Sequence, residues 1–69
     1  MTYTPSDLRL ARWHARDGER RITALEQNIS RAKARGQSTE LAERALATMR
    51  VTLSLMLDHL NAIEQSLKR

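Results

Sequence analysis

The chain has 69 residues and a mass of 7.9 kDa, enough for one small domain and too little for the layered clefts most enzymes use. Its 12 Lys and Arg against 8 Asp and Glu give a formal charge of +4, a balance that admits a polyanionic partner without demanding one. Cysteine is absent, which excludes disulfides, thiolate metal sites and thiol nucleophiles.

The fold must therefore hold by packing alone. Chains below about 70 to 80 residues rarely gain more than roughly 3 to 5 kcal/mol from a single core, so self-association is expected. No apolar run approaches the roughly 18 residues of a membrane span, and Met1 to Pro5 has neither the basic start nor the apolar stretch of a signal peptide. The expectation is a cytoplasmic protein with no membrane partner.

The first element opens at Thr4-Pro5-Ser6-Asp7. This run supplies a hydroxyl N-cap, a proline at the first helical position, where no N–H is needed, and an acid facing the helix dipole. A helix over about 5–35 follows. Leu8, Ala11, Ala15, Gly18, Ile22, Leu25, Ile29 and Ala32 recur in it at alternating spacings of three and four, the heptad pattern that keeps an apolar stripe turned toward a neighbouring helix. Asp17-Gly18 is the weak point, because mid-helix glycine costs about 1 kcal/mol. The heptad phase crosses it without a slip, so a continuous helix is expected, with a break near Gly18 as the alternative.

Arg35-Gly36-Gln37-Ser38-Thr39-Glu40 punctuates the middle of the chain. Gly36 suits a left-handed helix cap, Arg31, Lys33 and Arg35 sit at the negative end of the first dipole, and Ser38 or Thr39 can cap a second helix with Glu40 and Glu43 in its first turn. That second helix, over about 39–67, carries its own seam: Ala42, Leu46, Met49, Leu53, Met56, Leu60, Ile63 and Leu67. Nothing alternates with period two, so no strand competes. Folding the chain back at Gln37 sets Ile29 beside Leu46, Leu25 beside Met49, Gly18 beside Met56 and Ala11 beside Ile63. Small residues of one arm meet large ones of the other, as dense packing requires. The predicted fold is all-α: one antiparallel two-helix hairpin over 1–69, dimerising into a four-helix bundle.

The second arm is more apolar than one neighbour needs. Leu41, Ala45, Thr48, Thr52, Leu55 and Ala62 form a second stripe, with Val51 and Leu57 besides, and a helix apolar over most of its circumference is normally covered on several sides. Leu53, Leu55, Met56, Leu57 and Leu60 are the expected self-association surface; a groove for another protein's amphipathic helix is the competing use. The first arm holds all the net charge. Arg9, Arg12, Arg16 and Arg20 follow helical spacing around Trp13, which lies opposite the seam. Aromatic and arginine side chains together are typical of binding hot spots and also grip phosphates and stack on bases, while a solvated charged face is the plain alternative. Asp17 and Glu19 interrupt the basic run and favour a protein partner over nucleic acid.

His14 and His59 fall at nearly the same level of the hairpin, but no ligand cluster with diagnostic spacing accompanies them. No metal or other cofactor is expected. Neither a phosphate-cradling glycine loop nor a nucleophile with a base at a recognisable spacing is present, so the expected role is nonenzymatic. Glu40 and Arg44 are spaced as an i,i+4 ion pair.

The run Gly18-Glu19-Arg20-Arg21-Ile22, with Gln27, Ile29, Gly36, Thr39, Ala42, Leu46-Ala47-Thr48-Met49, Ser54-Leu55 and His59-Leu60, resembles a group of short alphaproteobacterial proteins, of rhizobial type, whose function is uncharacterised. The resemblance covers roughly Ala15 to Leu67. It implies a small helical bacterial protein and brings no reaction, cofactor or functional residue with it.

Overall fold

The computed structural model describes residues 3–68. Two helices, α1 (Pro5–Ala34) and α2 (Glu40–Leu67), pack against each other as an antiparallel hairpin, a rod of 53 × 15 × 12 Å. No cis peptide bond occurs among the described residues.

The start of α1 forms as the sequence predicts. Thr4 is the N-cap; the Asp7 amide donates to its hydroxyl at 3.2 Å and the Thr4 amide donates back to the Asp7 carboxylate at 2.8 Å. Two otherwise orphaned N–H groups are satisfied reciprocally, and Pro5 follows in the first turn. α1 then runs unbroken through Gly18. The seam explains why: a Cβ built on Gly18 would meet Leu53 Cδ1 at 3.4 Å and Met56 Sδ at 3.6 Å, so the glycine is a packing position and the second helix supports the backbone there.

The turn is built on Gly36, at φ 73°. Its amide donates to Lys33 O at 3.0 Å and the Gln37 amide donates to Ala32 O at 2.9 Å, the paired bonds of a Schellman cap that satisfy the last carbonyls of α1. The expected hydroxyl cap on α2 is not formed. Thr39 occupies the N-cap position, yet its side chain accepts no amide; its hydroxyl points along the helix and donates to Glu43 Oε2 at 3.2 Å. Thr39 is buried and stands at φ −119°, ψ 11°, outside the extended backbone region from which an N-cap side chain reaches the first-turn N–H groups.

Every seam position in both helices is buried or half-buried. Ala15, Ile22, Ile29, Leu46 and Ile63 are the buried core, and Ile22, Ile29 and Leu46 form its densest cluster, with Leu25, Ala42, Met49 and Leu53 packed around them. The predicted register thus holds along both arms. Two helices cannot enclose much more than this. A compact globular protein of this mass exposes about 4,400 Å² by the usual size scaling, whereas the hairpin exposes 5462 Å².

Candidate interaction surfaces

The two flanks of the hairpin, left and right of its seam, differ in chemistry. On one flank α1 presents Arg12, Glu26 and Lys33, and α2 answers with Glu64, Arg50 and Glu43. Arg12 lies 3.8 Å from Glu64, Arg50 donates to Glu26 at 2.8 Å, and Lys33 lies 2.8 Å from Glu43. Among the described residues all three bridges between the helices fall on this side, one heptad or two apart. Glu19 and Leu57 occupy the remaining rung by register. The pairs are solvent-accessible and each adds little to stability; their larger effect is to fix which residues face each other. At Glu43 the Lys33 ammonium, with help from the Thr39 hydroxyl, holds the carboxyl below its ordinary value of 4.5. Sequence reading did not pair these six residues across the seam; the signal was there as opposite charges at matching heptad positions beside it.

The opposite flank carries no bridge between the helices among the described residues. Here a hollow of about 320 Å³ opens between α1 and α2. Its floor is the half-buried Gly18, Met49, Leu53 and Met56, and its rim is His14, Asp17, Arg21, Thr48 and Thr52. The missing side chain of Gly18 makes the room. Asp17 and Arg21 pair along their own helix at 2.9 Å. Thr48 and Thr52 donate to the carbonyls of Arg44 and Thr48, at 3.3 and 3.1 Å, so both hydroxyls are satisfied within α2 and need no further partner when this flank is covered. Toward the termini the same flank continues through a second hollow lined by Tyr3, Asp7, Leu10, Ala11, His14, His59 and Ile63.

The five residues expected to drive association do not share one face. Leu53, Met56 and Leu60 are half-buried in the hairpin's own seam, while Leu55 and Leu57 are exposed. Two residues apart on a helix, they point about 200° from each other: Leu55 toward the unbridged flank, Leu57 toward the bridged one. Val51 and Leu41, at 62% and 79% exposure, are the other large apolar residues of α2 left open.

Arg9, Arg12, Trp13, Arg16 and Arg20 come together on the outer side of α1 around one shallow hollow. Trp13 is 59% exposed and touches the His14 ring edge-on, with centroids 5.2 Å apart. Arg12 is engaged with Glu64, and Arg9 donates to the Ser6 hydroxyl at 3.1 Å. Among the described residues Arg16 and Arg20 have no carboxylate within ion-pair distance. His14 and His59 line a common hollow with Ala11 and Met56, and the His59 ring meets the Tyr3 ring edge-on at 5.7 Å; among the described residues no three His, Asp or Glu side chains gather as a metal site. The expected Glu40–Arg44 pair is formed, at 2.9 Å. No described helix is long and apolar enough to cross a membrane.

No protein-family model, curated protein or solved structure matches the chain, so functional argument rests on the geometry and chemistry of these surfaces.

Proposed function

We propose that the chain is a nonenzymatic interaction module, which associates with itself through the uncovered side of α2 and offers the Trp13–arginine face of α1 to another macromolecule. The observation that carries this reading is the surface left over. The hairpin exposes 5462 Å², about 1,000 Å² beyond a compact protein of its mass, and each partner in a standard-size interface hides about 800 Å². Leu41, Val51 and Leu55 stand in that surplus, and their exposure is hard to reconcile with an isolated monomer whose described residues include five buried apolar side chains.

Light scattering across a concentration series tests the self-association. A persistent dimer mass is expected, falling to the monomer mass for Leu55→Glu; a wild-type monomer up to high micromolar concentration defeats the reading.

A second reading, nucleic-acid binding by the first helix, is favoured by one observation: Arg16 and Arg20 lack ion-pair partners among the described residues and flank an exposed Trp13. Binding of that kind weakens steeply with salt as counterions are displaced. It would fall when Arg16 and Arg20 become Ala, and an absence of binding to single- or double-stranded RNA and DNA at low salt removes it.

A further inference from the structure

We propose that a second copy of this chain covers the unbridged flank in an antiparallel stack, with α1 lying on the partner's α1 and α2 on the partner's α2, about a two-fold axis that passes near Leu55. This deepens the self-association reading and rests on it.

The face itself comes first. In a hairpin closed by one seam, a four-helix bundle needs each helix to present a further stripe about a quarter-turn away, on the same side of both helices. Only the flank opposite the ion pairs is suited to that. On α2 it runs as a heptad stripe without Lys, Arg, Asp or Glu, Leu41, Ala45, Thr48, Thr52, Leu55 and Ala62, with His59 between the last two, and all of these residues are exposed. Its mostly small side chains allow close approach of a second helix, and its threonine hydroxyls are already satisfied. Covering the other flank would bury the six members of the three ion pairs and desolvate them at a cost their attraction does not reliably offset.

The occupant and its direction follow from charge order on α1. Along this flank α1 carries Asp7 and Asp17 in its first half and Arg21 and Arg31 in its second. Such a sequence is complementary to itself when reversed: an antiparallel copy sets Asp17 opposite the partner's Arg21 and Asp7 opposite the partner's Arg31. A parallel stack, whose two-fold axis would run along the rod, places these charges over that stripe of α2 instead. Charges flanking a helix contact set orientation in this way.

The charge order on α1 and the apolar stripe on α2 share one centre. The reversal of charge on α1 falls between Asp17 and Arg21, and Gly18 in that interval packs on Leu53 and Met56. Leu55 therefore lies level with the reversal. One axis serves both helices, and it brings Leu55 onto the partner's Leu55 as the central apolar contact.

The experiment exploits the absence of cysteine. Leu55→Cys, mildly oxidised, is expected to form a disulfide-linked dimer, and Leu41→Cys, far from the axis, is not. Asp17→Arg alone and Arg21→Asp alone are expected to lower the dimer population at least tenfold, while Asp17→Arg/Arg21→Asp restores it. Leu57→Glu, on the bridged flank, leaves the dimer intact. Circular dichroism accompanies each variant, so that loss of the dimer with helicity retained is distinguished from loss of the fold. A wild-type dimer in which Leu55→Cys fails to cross-link, or in which the double charge reversal fails to restore association, overturns this stack and leaves self-association standing. A wild-type monomer overturns both.

Discussion

The half of the hairpin near the turn and the half near the termini are built from the same heptad pattern and packed differently. Near the turn Ile22, Leu25 and Ile29 face Leu46, Met49 and Leu53, the densest core cluster lies there, and two of the bridges between the helices are 2.8 Å long. Toward the termini the α1 seam is Ala11, Ala15 and Gly18 against Met56, Leu60 and Ile63, and the one bridge spans 3.8 Å. Interdigitation of small with large residues buries Ile63 and Ala15 fully, but removes less apolar area from water than isoleucine against leucine. The surfaces assigned to recognition, Trp13 with its arginines and the hollows beside His14 and His59, all lie from the middle of the rod outward. The larger apolar side chains are packed near the turn, and the exposed Trp13 and the histidine-lined hollows lie toward the other end.

Substitutions can break or sharpen that contrast. Ile29→Ala is expected to cost about 2 to 5 kcal/mol, comparable to the whole stability of so small a core, so the variant should show little helicity at 25 °C; a comparable loss from Leu67→Ala, half-buried at the far end, would erase the distinction. Gly36→Ala is expected to cost about 1 to 2 kcal/mol, because a Cβ disfavours the left-handed conformation, though nothing lies within 4 Å to clash with it. Gly18→Ala should raise stability by about 1 kcal/mol, since the new methyl enters ordinary contact with Leu53 and Met56; a lowered melting temperature, at fixed protein concentration, would show that the hollow cannot close around it.

The smallest effect concerns pH. The Glu43 carboxyl is held below 4.5 by Lys33, so its contribution to stability is complete above that ordinary value and is lost as pH falls through the lowered one. In Lys33→Met the Glu43 titration, followed by NMR, should rise toward 4.5, with only a small loss of stability at neutral pH.

Much of this fold was legible in the residues. The seam residues read from spacing are buried or half-buried throughout, and the Thr4 cap, the Gly36 turn and the Glu40–Arg44 pair formed because each depends on neighbours within five positions in sequence. Continuity through Gly18 was also readable, since heptad phase reports on the partner helix that supports the glycine. Of Ser38 and Thr39, the two hydroxyls expected to cap α2, Thr39 holds the N-cap position without the side-chain bond, because the backbone angle at which the turn enters the helix is not written in neighbouring residues. Leu55 and Leu57 were grouped by hydropathy, a property of a segment, whereas an interface is a property of an angle around the helix. The bridged flank needed both the register and the reach of six long side chains, and only their placement in three dimensions separated one side of the rod from the other.

Gly36 also governs how quickly the hairpin can assemble. The first contacts it permits, Ala32 with Ala42 and Ile29 with Leu46, close short loops at little entropic cost, and each later rung extends a pairing already begun. The rod is thus a zipper with a defined starting tooth: a change at the turn should slow refolding, while Ile63→Val, in one of the later rungs, should leave refolding unchanged and hasten unfolding. A chevron plot would separate the two, and would make the glycine a clock for the chain as well as a corner in it.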